Sequence, residues 1–222
     1  IAEDAHQRIY GSNKVVLGQC GINIRGRSKK LNINYRTTDE TRSWASNLLA
    51  GRAIDDLDGG LDTNAGYRSL THGLPPILEN FETAQEQASY IKALIEQSKS
   101  PLSHVCIVAR TNKEVTAIEM QLNNMGIRAA IIRSSQTDNM DENIIRLASI
   151  HRVKGRAFDE LILASANSGL IPLSFVIDGK ADQVSRQQAE TEERSLVYVA
   201  LTRARKQAYV LSYGEASRFF NT

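Results

Sequence analysis

The chain has 222 residues, 41% hydrophobic and 23% charged, with a net charge of +2; this suits one α/β domain with a short appendage and excludes a multidomain machine, a disordered tail, a coiled coil or a collagen-like rod. No run approaches the roughly 20 apolar residues needed to cross a bilayer, so no membrane partner is expected, and Cys20 and Cys106 give neither a disulfide framework nor a CxxC metal or redox site, which points to a reducing, cytoplasmic setting. Charge is unevenly placed, +5 over residues 1–36, −4 over 37–65 and +1 over the rest, which permits a phosphate-facing patch but reads most simply as a solvated basic loop.

The chain begins at Ile1, with neither an initiator Met nor a signal peptide, and is expected to be a fragment of something longer. Its first distinctive string is EDAHQRIYG at 3–11. The second is NYRTTDE at 34–40. There Thr37 or Thr38, followed by Asp39 and Glu40, can cap a helix running through Trp44 to Leu49, with Tyr35 and Arg36 on the loop before it. Residues 51–74, with Gly59-Gly60 and many small polar residues, read as a surface loop.

From residue 75 onward, short branched apolar runs predict strands at 75–81, 104–110, 127–133, 145–151, 160–166 and 207–213. They do not alternate cleanly with polar residues, which suits strands covered on both faces. Between them lie helical stripes: Ala84, Ala88, Ile91 and Ile95, then Val115, Ile118, Leu122 and Met125, with Gly126 placed to end the second helix. Strand and helix alternate, so a mostly parallel sheet with helices on both faces is predicted. Residues 167–187 read as a second loop. In the third distinctive string, EERSLVYVALTRARK at 192–206, Leu196, Val199, Ala200 and Arg203 share one helix stripe. An arginine ending an apolar stripe needs an anionic partner, and on spacing alone a structural carboxylate pair is the simpler reading.

Catalytic motifs that α/β sheets commonly carry are missing. Gly179-Lys180 is followed by Ala181, and Ser174 stands where a phosphate loop needs its first glycine. No GxGxxG, HExxH or GxSxG string is present, and His6, His72, His104 and His151 are scattered.

Taken with LASIHRVKGRAFDELILA at 147–164, the three strings resemble, in order, motifs III, IV, V and VI of the UvrD/Rep-like superfamily 1 helicases, and residues 105–127 resemble the segment between motifs IV and V. The resemblance implies a RecA-like, P-loop NTPase-type three-layer fold that lacks its own P-loop. Residues 1–30 would be a remnant of a first motor domain, including motif III and a linker, and residues 31–222 the second motor domain. The absent first domain would bring the Walker lysine and the acidic ligands of Mg²⁺. In such helicases the two domains clamp ATP and move along single-stranded DNA, so the implied partners are that DNA and the chain's own N-terminal motor domain, and DNA repair is the implied setting. By the resemblance, Gln7 senses the γ-phosphate, Tyr10 lies near the DNA, and Tyr35 stacks on adenine. Arg36 and Arg203 would reach the γ-phosphate across the cleft, where such an arginine is worth roughly 10³–10⁵ in rate. His151, Arg152 and Lys154 would meet the DNA backbone.

Three departures from the family pattern stand in the sequence. Motif V reads Lys154-Gly155-Arg156-Ala157-Phe158, with Ala157 where the family has a glutamate near the nucleotide sugar, and Glu3 precedes Asp4 in motif III where a glycine is usual. Only the short stretch Ser134–Asn143 is available where family members insert an accessory domain, so translocation is expected more than processive unwinding. The competing readings are a degenerate motor kept as a nucleic-acid-binding or protein-interaction module, and an unrelated α/β ligand-binding domain.

Overall fold

A computed structural model of the chain describes residues 33–52, 67–133 and 143–220. Gln7, Tyr10, the expected 1–30 appendage and nearly all of the Ser134–Asn143 connection lie outside the described residues. Six strands make the main sheet: β3 (Ile77–Phe81), β4 (Val105–Ala109), β5 (Ala129–Ile131), β6 (Ile145–Ser149), β7 (Phe158–Leu163) and β8 (Ala204–Tyr213). Their spatial order is β3-β8-β7-β4-β6-β5, and every pairing is parallel.

Parallel neighbours need crossovers, and helices provide them: α2 (Ala84–Gln97) after β3, α3 (Asn112–Asn124) after β4, and α5 (Gln183–Leu201) between β7 and β8, while α1 (Asp39–Asn47) precedes the sheet. β4 shows why the strands lack polar alternation. Val105, Ile107 and Ala109 pack with Ile91 and Ile95 of α2 and with Val115, Ile118 and Leu122 of α3. Cys106 and Val108 belong to the opposite layer, with Ala45 of α1 and Leu196, Val199 and Ala200 of α5. Both faces of the sheet are covered, which makes the three-layer architecture that the sequence predicts.

Helix ends follow the expected chemistry. Of the two adjacent threonines before α1, Thr38 is the cap, its Oγ1 accepting from the Thr41 N–H. Thr83, Thr111 and Asp182 cap α2, α3 and α5 in the same manner. After α3, Gly126 takes φ +80°. The Gly126 N–H then reaches the Asn123 carbonyl and the Ile127 N–H the Leu122 carbonyl, the two bonds of a Schellman stop.

Several boundaries depart from the sequence reading, among them β6, which ends at Ser149 and not at His151. β7 starts at Phe158 and β8 at Ala204, in each case ahead of the apolar run, because Phe158 pairs with Ala204 before a register shift that leads to the Glu160–Gln207 pair. The 167–187 segment holds a short helix, α4 (Ser174–Asp178), and the first turn of α5. Polar Gln183–Glu192 gives no apolar stripe there, so the Asp182 cap is the only local signal. Within 51–74, β2 (Arg68–Ser69) pairs in parallel with β1 (Ile33–Asn34). The acidic first turn of α1 holds this pair down: the Ser69 N–H donates to the Asp39 carboxylate at 3.0 Å, and the Gly73 N–H to that of Glu40 at 2.8 Å.

Candidate functional site

The second and third strings meet at the edge where β7 and β8 begin. Thr37, fully buried, donates its hydroxyl to the Thr202 carbonyl at 2.8 Å. The next carbonyl, that of Arg203, accepts from the Phe158 N–H at 2.9 Å. Thus the loop before α1, the start of β7 and the end of α5 are fastened to two successive peptide units. Arg36 and Tyr35 stand on the outer side of this junction. Tyr35 is 71% exposed. Arg36 is exposed too, and its backbone N–H is held by Asn34 Oδ1 at 2.8 Å.

Arg203 is 2% exposed and lies along the last turn of α5. Its Nε donates to the Val199 carbonyl at 3.0 Å and an Nη to Thr202 Oγ1 at 3.2 Å. Carbonyls at a helix C-terminus carry partial negative charge, so a guanidinium is stabilised there. The Thr202 hydroxyl donates in turn to the Tyr198 carbonyl at 2.8 Å.

At the opposite edge, where β4 and β6 end, a second group assembles. Arg110 directly follows β4, and its Nε and an Nη donate to the two carboxylate oxygens of Glu193 on α5. Glu193 is 2% exposed and also accepts from the Leu173 N–H at 3.2 Å. His151 and Arg152 sit on the single 3₁₀ turn Ile150–Val153 that follows β6, and Lys154 ends it. Burial, with the Arg110 guanidinium beside it, pulls the His151 imidazole below its ordinary value, and the opposing pull of Glu193 does not restore it. The neutral ring is therefore the main form at pH 7. Gly155, at φ +83°, turns the chain out of this edge and back toward β7.

One helix connects the two edges. Glu193 lies midway along α5 and Arg203 just beyond its end, ten residues on, about 15 Å at the helical rise per residue. The structure thus gathers Tyr35, Arg36 and Arg203 at one edge and His151, Arg152 and Lys154 at the other. Sequence reasoning offered Thr37 only as an alternative helix cap, and passed over Arg110 and Glu193. Arg110 carried a signal, a charge ending a wholly apolar strand run, but nothing local pointed to its partner 83 residues away. Among the described residues, no group of three or more His, Cys, Asp or Glu side chains could hold a metal ion, and no helix is long and apolar enough to cross a membrane.

Comparison with known proteins bears on this arrangement. The model of the UvrD-like helicase C-terminal domain matches residues 29–137 and 127–215. The mitochondrial ATP-dependent DNA helicase HMI1 of Saccharomyces cerevisiae is 31% identical over 182 residues, 75% of the chain and 25% of that protein. A probable DNA helicase II homolog of Mycoplasma pneumoniae is 34% identical over 76 residues, 34% of the chain and 10% of that protein. The chain therefore spans a quarter or less of these two relatives. The crystal structure of the C-terminal domain of a possible DNA helicase from Lactobacillus plantarum WCFS1 shares the fold, with a TM-score of 0.57 at 16% identity over 85% of this chain and 92% of that one.

Proposed function

Because the chain belongs to the UvrD-like helicase C-terminal domain family, we propose that it works as the second motor domain of an ATP-dependent DNA helicase or translocase. In this reading it supplies one wall of an ATP site whose phosphate loop lies on another domain, and part of a track for single-stranded DNA. The observation that carries the reading is the junction at the β7 and β8 edge, where the Thr37–Thr202 and Phe158–Arg203 bonds bring the segments bearing Arg36 and Arg203 together.

The residues present fit a nucleotide approached from outside. Tyr35 offers an exposed ring to a base, and Arg36 an exposed guanidinium to a phosphate. Arg203 is held against the end of α5, its Nε on the Val199 carbonyl and an Nη on the Thr202 hydroxyl. On closure of a facing domain, a γ-phosphate would compete for that guanidinium with better charge complementarity than the carbonyl provides. Phosphoryl transfer depends on positioning and charge stabilisation, and arginines that arrive only on closure tie hydrolysis to domain movement. At the other edge, Arg152 and Lys154 would meet DNA phosphates and His151 would add a neutral donor, contacts that position a strand without reading its sequence.

The test is the ATPase rate of the full-length protein with and without single-stranded DNA, compared with its Arg203→Ala and Arg36→Ala variants. DNA-stimulated turnover that both substitutions cut severely supports the reading. An ATPase-silent full-length protein that still binds DNA favours a degenerate motor, for which Ala157 in motif V is the sequence-level sign.

A further inference from the structure

We infer that Thr37 is a positioning residue, whose hydroxyl sets the spatial relation between Arg36 and Arg203; the inference rests on the proposed nucleotide site and adds to it the device that aligns its two arginines. The two adjacent threonines have divided roles. Thr38 caps α1 and contributes to local helix stability. Thr37 does not cap. It is fully buried, and its hydroxyl crosses 165 residues of sequence to the Thr202 carbonyl. That carbonyl belongs to the residue that ends α5, and the next residue is Arg203. On the other side, Thr37 directly follows Arg36.

One hydrogen bond therefore links the backbones that carry both guanidinium groups. The neighbouring bonds make the joint rigid. Phe158 holds the Arg203 carbonyl, and the Thr71 hydroxyl donates to the Thr37 carbonyl at 3.4 Å. The Thr202 side chain is also committed, donating to Tyr198 and accepting from Arg203. A buried carbonyl that loses its donor must shift or find water, and either change alters the spacing between the backbones that carry Arg36 and Arg203. Because an error of about 1 Å in catalytic placement can cost on the order of 10²-fold in rate, loss of this bond is expected to appear in turnover before it appears in unfolding.

The experiment measures kcat and KM for ATP in the full-length protein with saturating single-stranded DNA. Thr37→Val keeps the shape and removes the hydroxyl; Thr37→Ala is run beside it against a packing fault in the Val variant, and Thr37→Ser restores the donor. The expected result is a fall in kcat of about 10- to 100-fold for Val and Ala, with KM changed less than kcat and with Ser within a few-fold of the parent. Arg203→Ala and the Thr37→Val/Arg203→Ala double variant complete a cycle: if Thr37 acts through Arg203, the second substitution adds little to the first. Multiplicative losses, or near-normal turnover in folded Val and Ala variants beside a severely impaired Arg203→Ala, would overturn the inference and leave the nucleotide site standing. Near-normal turnover in Arg203→Ala and Arg36→Ala would instead remove the site itself.

Discussion

Glu193 accepts two guanidinium N–H groups from Arg110, joining the end of β4 to the middle of α5 through a pair whose side chains are 3% and 11% exposed. Removing one partner leaves the other charged and buried, so Glu193→Ala is expected to destabilise the domain by about 3–5 kcal/mol. Replacing both with apolar residues of similar volume is expected to cost less than the single change. Urea unfolding of the three variants measures this, and a double substitution as harmful as Glu193→Ala would contradict the argument.

Acid should weaken the fold through Asp159. Burial pushes its carboxyl up, but the Lys206 ammonium at 2.6 Å and His104 outweigh burial and hold it below its usual 3.8. A lowered folded-state value means the stabilisation is fully present above about 3.8 and is lost as pH falls through that value toward the folded one. Glu190 behaves alike: burial raises it, and hydrogen bonding from Arg194 with the charges of Arg218 and Arg52 lowers it further. Asp159→Asn and Glu190→Gln should each flatten the stability profile between about pH 5 and pH 2, while lowering stability at neutral pH. Parallel profiles for variants and parent over that range would exclude these two carboxylates as the acid-sensitive groups.

The sheet was legible because burial on both faces forces unbroken apolar runs, and the β3 to β6 strings fall where the runs are. The Gly126 stop of α3 was legible for the same kind of local reason. The first turn of α5 was not, since an amphipathic signal needs an apolar stripe and residues 183–188 have none beyond the exposed Val184. At the candidate site, Arg36 and Arg203 could be picked out by their strings. Which threonine caps and which reaches across could not, because Thr37 and Thr38 are chemically alike and only the Thr202 carbonyl separates them. The titration of His151 was likewise hidden, since it depends on Arg110 and Glu193, which are distant in sequence.

Arg36 and Arg203 should separate stability from turnover. Arg36 is exposed, so Arg36→Ala is expected to change folding stability by less than about 0.5 kcal/mol, whereas Arg203, buried and bonded to Val199 and Thr202, should cost roughly 1–3 kcal/mol. In the full-length protein both should lower kcat severely. The 222-residue chain by itself should hydrolyse ATP negligibly, because the phosphate loop is not in its sequence. Substantial turnover by the purified chain, abolished by Arg203→Ala, would show that it binds and hydrolyses ATP without a second domain.

Single-strand binding should be weak for the isolated chain and steeply salt-dependent, and the slope identifies which groups carry charge to the strand. Each phosphate neutralised contributes about −0.7 to the slope of log K against log salt for a single strand. Arg152→Gln and Lys154→Gln should therefore each reduce the magnitude of the slope by an amount of that order. His151 differs, because burial and Arg110 keep its ring neutral at pH 7.5. His151→Gln should weaken binding at every salt concentration and leave the slope unchanged. Fluorescence anisotropy of a labelled oligothymidine between about 50 and 200 mM salt, over which log K is linear in log salt, measures all three. A slope reduced as much by His151→Gln as by Arg152→Gln would mean that DNA binding protonates the imidazole, with the phosphate supplying the charge compensation that Glu193, already committed to Arg110, does not.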